Sequence, residues 1–134
     1  MERRELIRKL KTTPYVEHGR NFRGIDCYGL LLLYYKYIKG IILPDYFYDS
    51  DWYNQRKDFF IEEYPKLWKK VDKPQIDFAL LFYGINRMVT HVGIYIGKGK
   101  FIQALRKVGV VELKLTKWKP RLYGIFEYVG NSKI

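Results

Sequence analysis

Cysteine occurs once in 134 residues and histidine only twice. A single thiol excludes an intrachain disulfide, and one cysteine with two histidines does not make a zinc-binding cluster. The thiol chemistry read below implies no metal or cofactor. No apolar run is long enough to span a bilayer, since LLLLYYKYI is too short and too interrupted. The N-terminus, MERRELIRKLK, is charged throughout and lacks the apolar segment of a secretory signal, so export in cis by that route is not expected. Acidic residues are the scarcer charge, 14 Asp and Glu against 25 Lys and Arg, for a net +11. That excess suits a polyanionic partner such as nucleic acid, anionic lipid or an acidic cell-wall polymer, and alone does not choose among them. Internal repeats, low-complexity tracts and linkers are also missing, and the length is that of one domain, 1–134.

What is present is organised around GIDCYGLLLLYYKY, Gly24 to Tyr37, which carries the only cysteine. Asp26 is a good N-cap, so Cys27 falls in the first turn of a helix over roughly 26–39 that Gly40 stops. The unpaired N–H groups and the helix dipole of a first turn favour thiolate over thiol, which makes Cys27 a candidate nucleophile. The run Leu30 to Leu33, followed by Tyr34 and Tyr35, marks this as the central buried helix.

Residues 2–11 read as a short amphipathic helix, with Leu6, Ile7 and Leu10 at helical spacing. The segment 14–24 is loop-like. Residues 45–73 are rich in aromatics and charges; they read as a helical insert, with a helix over about 51–63, or as a recognition insert. From Gln75 onward the pattern becomes IDFALLFYG, THVGIYIG, KFIQAL, GVVELKL and LYGIFEYV, five short strands separated by turn residues. Helices first and strands afterwards predict an α+β fold, with the cysteine helix packed on an antiparallel sheet of about five strands.

The base is sought on the second of these strands. Alternation puts His91, Gly93 and Tyr95 on one face and Val92, Ile94 and Ile96 on the other, with Gly93 expected to leave open space beside the imidazole. The GKG connection allows two registers. A two-residue loop at Lys98 and Gly99 pairs Ile94 with Gln103, whereas a three-residue loop at 97–99 pairs Gly93 with Gln103 and sets its amide diagonally next to His91. Gly99 suits the left-handed position of the longer loop, and that register is expected. The predicted constellation is Cys27, His91 and Gln103, with His91 moving the proton and Gln103 orienting the ring.

At these residues the sequence resembles the NlpC/P60 family of papain-like cysteine peptidases. The likeness lies in PY at Pro14 and Tyr15, DCYG at Asp26 to Gly29, LP at Leu43 and Pro44, and HVGIYIGKGKFIQA at His91 to Ala104. It implies Cys27 as nucleophile, His91 as base, Gln103 as the third polar residue, and Tyr15 as a hydroxyl near the thiol. Tyr28 stands where the family usually has Ser, Glu17 and His18 where Trp and Gly are common, and Gln103 where His is more frequent. Tyr15, Tyr28, Arg23 and His18 are the expected substrate-binding residues, with Arg20 and Arg23 placed to meet substrate carboxylates.

The resemblance implies hydrolysis of peptidoglycan stem peptides, between γ-D-glutamate and the diamino acid. It is nearest to small phage tail-associated members, which implies contacts with other tail proteins and a path from the producing cell's cytoplasm to the host envelope on a virion. The alternative is a catalytically silent tail component of the same fold. A nucleic-acid binder is the weakest reading, because +11 and many tyrosines come without a recognised binding motif.

Overall fold

The computed structural model describes residues 1–45, 66–84 and 87–130. The predicted helix over 51–63 lies outside them.

Helix α1, Arg3–Lys11, buries Leu6 and Leu10, so the predicted stripe is the one that packs. Its end is closed by side chains: Thr12 and Thr13 hydroxyls donate to the Lys9 carbonyl at 2.8 and 3.1 Å. Strands β1, Arg20–Asn21, and β2, Gly24–Ile25, form a small hairpin that leads into helix α2, Cys27–Tyr34. The Asp26 carboxylate accepts from the Gly29 N–H at 2.7 Å, so the expected cap is formed and Cys27 opens the helix. Six of the eight residues of α2 are buried, which is why its apolar character runs all the way round. Beyond Tyr34 the chain widens into a π turn, Tyr35–Lys39, and stops at Gly40 in the left-handed conformation.

The main sheet is antiparallel, with strands β3 (Trp68–Val71), β4 (Ala79–Tyr83), β5 (Val89–Gly97), β6 (Lys100–Leu105), β7 (Gly109–Lys114) and β8 (Leu122–Tyr128). Their spatial order is β3-β8-β4-β5-β6-β7. The five expected strands are present. The sixth, β3, falls inside the segment read as an insert and pairs Trp68 to Val71 with Tyr128 to Ile125. Its two central lysines are exposed and hide the strand pattern, as suits a sheet edge.

Both faces of the sheet are apolar. On one, Leu81, Val92, Ile94, Ile102, Ala104 and Phe126 pack with Leu30, Leu33 and Tyr34 of the helix. On the other, Leu80, Phe82, Phe101 and Ile125 pack with Leu115 and Trp118, which follow β7 in a one-turn helix. The open space expected at Gly93 is therefore filled: a Cβ there would lie 2.9 Å from the Ile102 carbonyl oxygen and 3.0 Å from the Phe101 ring.

The β5–β6 register is the expected one, reached by another route. Ile94 pairs with Ile102 and Tyr95 with Phe101, which carries Gly93 opposite Gln103, but Gly97 pairs with Lys100 across a two-residue turn. Lys98 and Gly99 both have positive φ, as such tight turns require. The short loop alone would have produced the other register. A bulge between Tyr95 and Gly97 shifts the pairing by one residue and restores it.

At the far end of α2, Asp77 ties helix to sheet. Its carboxylate accepts from Arg3 at 2.8 and 2.5 Å and from the Tyr34 hydroxyl at 2.7 Å, and the Lys39 ammonium lies 3.6 Å away. The Tyr35 hydroxyl donates to the Asp77 carbonyl, and the Asp77 N–H donates to the Tyr95 carbonyl at 2.8 Å. Burial pushes this carboxyl upward, but Arg3, Tyr34 and Lys39 together hold it below the ordinary carboxylate range.

Candidate active site

Asp26, 2% exposed, organises the loop in front of the cysteine. Besides capping Gly29, it accepts from the His18 backbone N–H at 3.0 Å and from the Arg20 guanidinium at 2.8 Å. Arg20 also donates to Asp45 at 2.8 Å and to the Gly19 carbonyl at 2.8 Å. The expectation that Arg20 meets substrate carboxylates is thereby corrected, because its guanidinium is committed to the protein's own acceptors. Arg23 sits exposed in the β1–β2 turn, its backbone N–H held by Asn21 at 2.8 Å. His18 has φ of 62°, a conformation that explains why glycine is common at this point of the motif. Tyr28 is buried, and its hydroxyl donates to the Pro44 carbonyl at 2.6 Å. It therefore ties the start of α2 to Pro44.

The Cys27 sulfur rests on the β5 edge, 3.9 Å from the Thr90 carbonyl oxygen and beside the Val92 N–H. Those two groups flank His91 in the strand, so the thiol docks at the histidine's position in the sheet. Some surface of Cys27 remains open to solvent. The thiol nonetheless sits in dense protein: burial, then the Asp26 charge, push its pKa up to about 12, and the Val92 and Tyr28 N–H groups and Arg20 only partly offset them. The predicted preference for thiolate is thus corrected for the resting protein, since desolvation outweighs the helix end.

His91 packs against Phe82, ring centroids 6.3 Å apart, and its pKa falls to about 4. Burial is the main cause, Arg121 adds to it, and the Gln103 amide acts in the opposite sense. Gln103 is fully buried on β6, on the same side of the sheet as Phe101. The His91 Nε2 and both polar atoms of the Gln103 amide have no hydrogen bond of normal geometry among the described residues. The two side chains are close enough to interact, yet no bond between them is closed.

Tyr15 joins this site through a parallel bridge to Ile25, two residues before the cysteine. Burial raises the pKa of its hydroxyl, with the nearby Cys27 and Asp26 adding to the rise, while Arg106 lowers it. Arg106, in the turn after β6, was missed in the sequence. The one available signal was its position three residues beyond Gln103. Its guanidinium lies 3.2 Å from the carboxylate of Glu17. Among the described residues no group of three or more His, Cys, Asp and Glu is arranged to hold a metal ion.

A cysteine opening a buried helix, set against an antiparallel sheet whose adjoining strands carry a histidine and an amide, defines a papain-like α+β fold. The NlpC/P60 family pattern matches residues 12–127, and the chain belongs to that family. The gamma-DL-glutamyl hydrolase of Bacillus subtilis is 31% identical over 118 residues, covering 84% of this chain. The chain spans only 25% of that protein's length. Among solved structures, the NlpC/P60 domain of the peptidoglycan hydrolase SagA has a TM-score of 0.63 at 21% identity, covering 90% of this chain and 92% of that one. An NlpC/P60 family protein from Bacillus cereus has a TM-score of 0.67 at 24% identity, covering 93% and 38%. At these identities the structures speak for the fold. No helix among the described residues is long and apolar enough to cross a membrane.

Proposed function

We propose that the chain is a cysteine peptidase hydrolysing peptidoglycan stem peptides at the bond between γ-D-glutamate and the diamino acid. The observation that carries this reading is the docking of the Cys27 sulfur on β5 at the position of His91, with Gln103 buried alongside on β6. The γ-glutamyl specificity draws on the Bacillus subtilis relative, whose name is gamma-DL-glutamyl hydrolase.

In this mechanism the Cys27 sulfur adds to the scissile carbonyl carbon as its proton passes to His91, and the Cys27 N–H holds the oxyanion. Collapse breaks the C–N bond, and His91 gives its proton to the leaving amine. Water then cleaves the thioester, releasing a carboxylate and restoring the thiol. Burial pushes the thiol pKa up and the imidazole pKa down, so on this reading attack and proton transfer are coupled rather than starting from a standing thiolate. Gln103, whose amide makes no closed bond to the ring in the resting protein, would accept from one imidazole nitrogen during the reaction and leave the other to act as base.

A second reading, a silent structural component of the same fold, is favoured by Tyr28, which stands in place of serine and is spent on the Pro44 carbonyl. Incubating the protein and a Cys27→Ala variant with isolated sacculi separates the two. Amine-terminated muropeptides released by the parent alone establish the peptidase; silence from both establishes the structural role. The proposed setting is a phage tail, with delivery to the host envelope on the virion. Its support is the resemblance to small tail-associated members, and its test is mass spectrometry of purified particles, where absence of the chain rejects it.

A further inference from the structure

A substrate with a γ-glutamyl carboxylate brings negative charge to a thiol that already has a carboxylate, Asp26, beside it. Binding therefore calls for a cation at the rim. Arg20 is close to the thiol but is held by Asp26, Asp45 and the Gly19 carbonyl. Arg106 is differently placed. It extends from the β6–β7 turn, where Leu105 pairs with Gly109. A Cβ on Gly109 would lie 3.4 Å from the Thr13 carbonyl oxygen, so this turn abuts the segment that carries Tyr15.

Arg106 is 61% exposed, and its ion-pair partner Glu17, 3.2 Å away, is 37% exposed. An exposed pair of this kind is weak and opens readily. It keeps the guanidinium beside Tyr15 without locking it there, and it leaves donors for a second carboxylate.

We propose that Arg106 is a specificity-determining residue that receives the α-carboxylate of the substrate's D-glutamyl residue, with Glu17 holding it ready until substrate displaces the pair. This rests on the peptidase reading above and adds to it a rule of selection. Substrates whose D-glutamate carries a free α-carboxylate are preferred over those in which that group is an amide. A planar guanidinium forms two charge-assisted bonds with a carboxylate and cannot do so with a carboxamide.

The test compares kcat and KM for two tetrapeptide stems that differ only in D-glutamate versus D-isoglutamine, using wild type, Arg106→Gln, Glu17→Gln and Lys107→Gln. Wild type is expected to prefer the carboxylate substrate. Arg106→Gln raises its KM by roughly 10- to 100-fold, the range for losing a hydrogen bond to a charged group, and leaves the amide substrate's KM within about threefold. Glu17→Gln lowers KM for the carboxylate substrate, and Lys107→Gln, which removes a neighbouring charge without the fork, changes neither. An equal loss on both substrates in Arg106→Gln, or wild-type indifference to the amide, overturns the assignment and leaves the peptidase intact. Failure of wild type on both substrates rejects the peptidase reading itself.

Discussion

The two ends of helix α2 each hold a buried aspartate, Asp26 in front and Asp77 behind, and both are at most 2% exposed. Around Asp77 every group is used: Arg3 of α1, Tyr34 of α2, and Tyr35 and Lys39 of the π turn converge on it. Around Asp26 the cap is equally complete, but beyond it lie half-buried His91 and fully buried Gln103, with the His91 Nε2 and both Gln103 amide atoms unbonded among the described residues. A buried polar atom without a partner costs about 1–3 kcal/mol. On the peptidase reading, the second end is the one that meets substrate. The proposed peptidase thus assigns stability to the rear and reactivity to the front, with Asp26 serving both.

That division yields a graded set of outcomes. Asp26→Ala has the largest effect because it removes the cap of Gly29, the acceptor for His18 and the partner of Arg20 at once. Thermal or denaturant unfolding should show a loss of about 2–4 kcal/mol, from a cap of ~1 kcal/mol plus a part-buried charged hydrogen bond. Hydrolysis should fall with it. A variant that loses only stability or only activity breaks the claim that Asp26 serves both ends.

Asp77→Asn comes next. Asparagine tolerates the positive φ of 79° and still accepts from the tyrosines, so the change isolates the charge. Arg3 and Lys39 are each 41% exposed, so water screens part of their loss. Stability should drop by about 1–3 kcal/mol with kcat/KM retained. The sign with pH follows from the depressed carboxyl: its contribution is complete above the ordinary carboxylate range and disappears as pH falls through the folded-state pKa. The gap between wild type and variant should therefore narrow below about pH 4. A gap that widens on acidification contradicts the assignment.

Much of this architecture was legible in the chain. The Asp26 cap, the Gly40 stop and the alternation in THVGIYIG are local signals, and local geometry enforces them. The placing of Gln103 was also readable, although its stated cause was wrong, because a bulge at Ile96 compensates for a tighter turn than the sequence suggested. Strand β3 was not legible, since WKKV owes its state to β8 rather than to its own pattern. Nor was the Asp77 hub, which gathers residues 3, 34, 35, 39 and 77 only in three dimensions. The thiol was misread for a related reason: a helix N-terminus is visible in sequence, whereas the desolvation that outweighs it depends on what packs around the sulfur.

The most direct test uses Gln103→Leu, with unfolding free energy and kcat measured on the same preparation. Leucine removes the unbonded amide at similar volume. Stability should hold or rise by up to about 1 kcal/mol, while kcat falls by at least about tenfold because the imidazole loses the amide proposed to fix its tautomer during the reaction. The opposite pattern, a destabilised protein that turns over at the wild-type rate, would show that Gln103 is ordinary core and that the two ends of α2 do not divide their labour.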